Sequence, residues 1–450
     1  MKNSSKYLLA LSMIALLSAC GTDGNTGANS VEDGSAQLVG ATVVDDVNAT
    51  TMLAVIQAKI DANATNAFAY KAVKITYNTV GENGELIVAS GLLTIPTPTA
   101  GYVAYRASTG QTPFSVSMIC ENHGTIFTNA EAPSNVEVTN GLPDYSSAVL
   151  MTGLAGFASI NPDYIGYGDS NDIAHPYMLK KASARSSVDM IKASMKYMQD
   201  NGIALNHQLY ISGYSQGGYN AIATAQSVDD GAIDNVSLMG VAAMAGPHSV
   251  ESLANIEINA SRTMVYPAFL GYLADSYSYY NDDVNVTDLV LFPDATGYHN
   301  LFNGSNDNVT IHVNLGLTDF NGTGFPGSDY GFGTHTANEL FKDSFITDYQ
   351  NNLNNVMRQK FIENKSYNNW TPKTKVNLIH CIADEIIPFS MSLTASQELN
   401  STGQVTLSPI PSSYIPAASA TDPFVHGRCA GTAYGAAVKW FAAIRSGDIK

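Results

Sequence analysis

Basic residues are scarce in this chain: 22 Lys and Arg stand against 39 Asp and Glu, a formal net charge of −17. Nucleic acid is excluded as a partner, because binding its phosphates takes a basic patch. Electrostatic docking onto anionic lipid is disfavoured for the same reason. Cysteine is also scarce, with four residues and no C-x-x-C pair, and the nine histidines show no pair at metal-ligand spacing. Neither a metal nor any other cofactor is therefore expected. The apolar stretch near the N-terminus, Tyr7 to Leu17, is too short to span a bilayer, which takes about 20 residues.

That stretch has another reading. Lys2 and Lys6 precede it, and Leu17-Ser18-Ala19-Cys20 follows, the pattern of a bacterial lipoprotein signal. Cleavage before Cys20 would leave a cysteine carrying several acyl chains, each CH2 worth ~0.8 kcal/mol of membrane binding. Gly21 at the next position suggests the outer membrane. Residues 1–19 are thus a signal, and residues 20–46, rich in Gly, Ser, Asn and Asp, a flexible tether. Removing Lys2 and Lys6 leaves 20 basic residues against 39 acidic ones, so the mature chain carries about −19. Its roughly 430 residues suffice for one large domain with an insertion or for two domains, and the full chain is 45% hydrophobic.

The chemistry concentrates at Gly213-Tyr214-Ser215-Gln216-Gly217, followed by Gly218. An apolar run, Leu209 to Ile211, precedes it, and a helix-compatible run, Tyr219 to Ala225, follows. Strand, tight turn and helix form the context in which G-x-S-x-G is a nucleophile elbow. The glycines are needed because a β-carbon on either side would collide with neighbouring backbone. Such a turn lifts the Ser215 hydroxyl off the sheet and aims the Gln216 N–H at an acyl oxygen. A triad on this pattern runs Ser, then Asp or Glu, then His. Val376 to Ala383 reads as a core strand ending at Asp384, and of the histidines only His426 lies beyond it. His426 is then the general base and Asp384 its orienting acid. Glu385 is the rival acid, while Asp422 is too close in sequence to His426. The second oxyanion donor is expected after the strand Phe114 to Cys120, at Gly124 or Thr125, with His123 bracing that loop.

These residues, in this order, resemble the secretory-lipase family, the lipase A-like branch of the α/β-hydrolases. Further matching features are Ser90-Gly91-Leu92-Leu93 with Pro96, and His123-Gly124-Thr125 with Ala132-Pro133-Ser134. Pro162-Asp163-Tyr164-Ile165-Gly166-Tyr167-Gly168 and His175-Pro176-Tyr177 follow. The match spans roughly residues 70 to 440. The resemblance implies serine-dependent hydrolysis of carboxylic esters and a cap inserted before the last strands. It also implies that the Asp163-Tyr164 loop sits beside the oxyanion loop. Asp163 is expected to bond nearby backbone N–H groups rather than substrate.

Cys381 stands three residues before Asp384 and Cys429 three residues after His426. If the triad forms, the two loops converge, and a Cys381–Cys429 disulfide fits an exported protein. Cys120 is left single and buried. Along the rest of the chain, Tyr70 to Val80 and Leu86 to Ile95 read as a hairpin, and Phe157 to Ile160 as a strand. Val188, Ile191, Met195 and Met198 form one helical face that stops at Gly202. Val236 to Ala245 and Val405 to Ile410 are further strands, and Ala437, Phe441 and Ile444 mark a final helix.

From Pro247 to Pro372 the strand–helix alternation is lost. This segment reads as a mainly helical cap, with Tyr266, Phe269, Leu270 and Leu273 on one face. The expected architecture is an α/β-hydrolase fold, a mostly parallel sheet flanked by helices. Its core comprises residues 47–246 and 373–450, with the cap at 247–372. A monomer acting on a small-molecule or lipid ester, and held to the membrane by its N-terminal anchor, is the expected form. Some proteins of this fold cleave amides, so an envelope serine peptidase is the alternative enzyme. A non-catalytic surface binding lipoprotein is the alternative of another class, and intact Ser215, Asp384 and His426 argue against it.

Overall fold

A computed structural model describes residues 34–449, apart from 60, 136–137, 140–141, 144–148, 265, 318–334 and 419–423. The signal, Cys20 and Asp422 lie outside the described residues.

Nine strands form one sheet. In chain order they are β1 (Leu38–Val47), β2 (Ala69–Val80), β3 (Leu86–Thr97), β4 (Val116–Asn122) and β5 (Ala158–Pro162). Then come β6 (Leu205–Tyr214), β7 (Ser237–Met244), β8 (Val376–Cys381) and β9 (Val405–Ile410). The spatial order is β1-β2-β3-β5-β4-β6-β7-β8-β9. The run from β5 to β9 is parallel, whereas β1, β2 and β3 pair antiparallel with their neighbours. Every residue of β4 and of β8 is buried. That is the pattern of parallel strands covered on both faces.

Residues 38–46, expected to belong to a flexible tether, instead form an edge strand. Leu38–Val47 pairs with β2, with Val43 opposite Val73 and Val47 opposite Tyr70. This edge strand escaped sequence analysis because its outward residues stay in water: Val39, Val43 and Val44 are exposed. Only the pairing with β2 fixes it as a strand.

Alternation along the strands divides the core in two. Met118, Cys120, Leu209 and Ile211 face one cluster with Val188 and Ile191 of the helix Lys180–Asp200. Ile119 and Tyr210, one residue out of step, face the opposite cluster with Ala437, Phe441 and Ile444 of the helix Val425–Ser446. The first helix forms because 21 residues contain neither Gly nor Pro, and its expected face (Val188, Ile191, Met195, Met198) is buried. Gly202, at φ +69°, lies just beyond its C-cap Asn201. Phe441 is fully buried, worth about 2–3 kcal/mol by transfer from water.

Between Met244 and Val376 the described residues contain helices and two isolated β-bridges, but no strand. These helices have their own aromatic core, including Tyr272, Tyr277, Tyr298, Tyr349 and Phe361. The expected single face of the helix Pro267–Tyr280 is divided. Leu270 and Leu273 enter that helical core, whereas Tyr266 and Phe269, with Phe424, also pack against Ile386, Ile387 and Met391. No helix among the described residues is long and apolar enough to cross a membrane.

Candidate active site

β6 ends at Tyr214 and a helix starts at Gln216. Ser215 between them adopts φ +60° and ψ −123°, a conformation that costs a non-glycine residue about 1–3 kcal/mol. Its N–H donates to Met244 O at 2.9 Å, and its carbonyl accepts from Gly218 N–H at 2.9 Å. Packing around the turn leaves no room for side chains. A β-carbon on Gly213 would lie 2.2 Å from Gly217 O, and one on Gly217 would lie 1.9 Å from Asn122 O. Both obstacles are backbone, so neither can move aside.

Asp384 follows β8, and His426 is the second residue of the helix Val425–Ser446. The His426 Nδ1–H donates to Asp384 Oδ2 at 2.7 Å. Asp384 Oδ1 accepts the N–H groups of Ile386 (3.1 Å) and Ile387 (2.9 Å). Burial by itself would raise the Asp384 pKa. The attraction of His426 and the nearby His380 outweighs it and holds the carboxyl well below its ordinary range. With Nδ1 engaged, His426 presents Nε2, buried and without a hydrogen-bond partner among the described residues. Tyr214 ties this imidazole to the elbow. Its hydroxyl donates to His426 O at 2.6 Å, and the two rings lie 5.0 Å apart. A disulfide joins Cys381 to Cys429 with 6.2 Å between their Cα atoms, linking the end of β8 to the first turn of the His426 helix. Cys120 is free and buried.

The rival acid Glu385 has a different task. Its Oε1 accepts the Val425 N–H at 2.7 Å and so fixes the start of the His426 helix.

On the other side of Ser215, Gly124 leans on the elbow. A β-carbon there would sit 3.4 Å from Tyr214 O and 3.6 Å from Ser215 Cβ. Thr125 Oγ1 bonds the Tyr177 hydroxyl at 2.9 Å. Gln216, first in its helix, has a backbone N–H with no intrahelical acceptor. Asp163 is fully buried behind this loop. It accepts Ser90 Oγ–H (2.6 Å), Ser134 N–H (2.8 Å) and Ser134 Oγ–H (2.5 Å). The carboxylate thus braces three segments.

Two histidines do more than their place in the sequence indicates. His175 Nδ1–H donates to Ile165 O at 2.7 Å, and its Nε2 accepts the Gln216 side-chain amide at 2.8 Å. Burial pushes its pKa down to about 3, so the ring stays neutral and anchors the residue after Ser215. The signal was present in His175-Pro176-Tyr177, but its contact partner was not. His380, four residues before Asp384, bonds Ser392 Oγ (2.8 Å) and Ile387 O (2.9 Å), and its Nε2 approaches Asp384 Oδ2 at 3.4 Å. Among the described residues no group of His, Cys, Asp and Glu could hold a metal.

Comparison with known proteins agrees with this geometry. Residues 142–278, which include the elbow, match the secretory-lipase family. No curated protein matches the sequence. The rice cell wall degrading esterase LipA from Xanthomonas oryzae superposes with a TM-score of 0.74 at 20% identity, covering 90% of this chain and 98% of its own. Candida antarctica lipase A in its closed state gives 0.54 at 14% identity, covering 83% and 76%. These two likenesses establish the fold. The family match makes residues 142–278 similar to secretory lipases within that fold.

Proposed function

We propose that Ser215, His426 and Asp384 hydrolyse carboxylic esters through an acyl-enzyme. The observation that carries this reading is the 2.7 Å bond from His426 Nδ1 to a buried carboxylate. It leaves Nε2 as the ring nitrogen turned to chemistry, on an imidazole held against the elbow. His426 takes the Ser215 proton as Oγ attacks the ester carbonyl. The oxyanion is met by the N–H of Gln216 and that of Thr125 or Gly124, each donor worth about 3–4 kcal/mol in the transition state. Collapse expels the alcohol, which takes the proton from His426. Water, deprotonated by the same imidazole, then releases the acid and restores Ser215. Asp384 stays ionised and stabilises the imidazolium.

Ser215 and His426 are both more than nine-tenths buried, so a substrate reaches them only past a covering layer. Ile386 and Ile387, just after the acid, with Phe424, just before the base, and Phe269 of the helix Pro267–Tyr280 supply an apolar surface for the acyl chain. We also assign Cys20 as a lipidation site on the pattern Leu17 to Cys20. Cys20→Ser is expected to release the protein from the membrane fraction, and retention of that variant would refute the anchor.

The catalytic reading is tested with a fluorophosphonate probe and p-nitrophenyl esters of graded chain length, on wild type and Ser215→Ala. Labelling and turnover are expected in wild type and absent in the variant. Turnover that survives Ser215→Ala would reject this nucleophile, and folded wild type without labelling would reject the mechanism.

A further inference from the structure

His123 faces two carbonyl oxygens. Its Nδ1 lies 2.7 Å from Gly124 O and its Nε2 3.2 Å from Asp163 O. The ring is closely held, stacked on Tyr164 with 4.1 Å between centroids. The Tyr164 hydroxyl donates to the carbonyl of His123 itself at 3.0 Å. Burial pushes the His123 pKa below its ordinary value, so at neutral pH the ring carries a single N–H. Two acceptors therefore compete for one proton. The shorter contact, to Gly124, places that proton on Nδ1.

This choice sets a peptide plane. In a trans peptide the C=O and the following N–H point in opposite directions. Holding Gly124 O towards the buried imidazole turns the Thr125 N–H the other way. A β-carbon on Gly124 would project towards Tyr214 O and Ser215 Cβ, which puts this residue against the elbow. Glycine offers little resistance to rotation of that plane. A rotated plane would aim the Gly124 oxygen, rather than an N–H, at the developing oxyanion.

We propose that His123 is a positioning residue for the oxyanion hole, its Nδ1–H fixing the Gly124–Thr125 peptide so that the Thr125 N–H faces the acyl oxygen on Ser215. The proposal rests on the reading of Ser215 as nucleophile and Thr125 as oxyanion donor. The Thr125–Tyr177 hydroxyl contact fixes the Thr125 side chain, not this plane.

An asparagine amide can reach the place of Nδ1–H, whereas a glutamine amide reaches that of Nε2–H. His123→Asn and His123→Gln are therefore compared in the full chain for kcat and KM on p-nitrophenyl butyrate, with Tm, beside Ser215→Ala. His123→Asn is expected to keep kcat within about 5-fold. His123→Gln is expected to lose about 100-fold in kcat with KM changed less than about 3-fold, the range for loss of one oxyanion donor.

A kcat for His123→Gln equal to or above that of His123→Asn would overturn the proposal, and so would parallel losses that track Tm. If both variants match wild type while Ser215→Ala is inactive, His123 alone loses its role. If Ser215→Ala stays active, the nucleophile reading fails and takes the proposal with it. Histidine-selective 15N NMR of the wild-type chain decides the case without any variant. Protonated Nδ1 is expected at His123, and protonated Nε2 refutes the proposal.

Discussion

Removal of the Cys381–Cys429 bridge tests how the acid and the base are held together. The two cysteines are 48 residues apart in sequence. Closing a loop of that length removes unfolded-chain entropy worth about 4 kcal/mol at 25 °C. Residual order in the unfolded chain reduces this, so Cys381→Ser/Cys429→Ser is expected to lose about 2–4 kcal/mol in guanidinium unfolding. Activity should suffer less. Asp384 keeps the N–H groups of Ile386 and Ile387, and His426 keeps its contact with Tyr214. We expect kcat to fall by less than about 10-fold at 25 °C, with earlier thermal inactivation. Thiol titration of the denatured wild type should gain two thiols per chain on reduction. No gain, or an unchanged unfolding free energy in the double variant, would refute the argument. A kcat loss of about 1,000-fold in a folded variant would show that the bridge, rather than the hydrogen bonds, positions the dyad.

Further predictions concern single groups. Asp384→Asn presents an amide N–H to His426 and favours the wrong tautomer, so kcat should fall about 10,000-fold in a protein that still takes the fold by circular dichroism. The Asp384 pKa is depressed in the folded chain, so its contribution to stability is present above the ordinary carboxylate pKa of about 3.9 and is lost as pH falls below it. The stability gap between wild type and Asp384→Asn should therefore narrow between about pH 4 and pH 2 in urea titrations, and a gap that widens would contradict the assignment. Gly217→Ala forces a β-carbon within 1.9 Å of Asn122 O and should yield insoluble protein or lose more than about 3 kcal/mol. Tyr214→Phe removes the 2.6 Å bond to His426 O and should cost about 1 kcal/mol in chemical denaturation.

Sequence carried much of this far because chemistry and backbone constraint coincide at a few positions. Gly213, Ser215 and Gly217 are legible since their turn admits almost no other residues, and the strand-to-helix change around them shows as a change of period. The buried strands β6 and β8 are legible from the apolar runs Leu209 to Ile211 and Val376 to Ala383, and β4 from the alternation of Phe114, Val116 and Met118. Other features left no such trace. β1 is half exposed, and nothing local separates it from a polar tether. Glu385 and Asp384 are adjacent carboxylates, and only the fold shows that one meets the imidazole while the other meets the Val425 N–H.

The sequence by itself determined the fold class, the order Ser215, Asp384, His426, and the neighbourhood of Cys381 and Cys429, because local backbone demands and chain order are written one residue at a time. Tertiary structure alone decided which distant groups share hydrogen bonds: His175 with Gln216, Tyr214 with His426. The physical reason is reach. A hydrogen bond acts over about 3 Å, and residues 41 and 212 positions apart come within that distance only after the sheet has assembled.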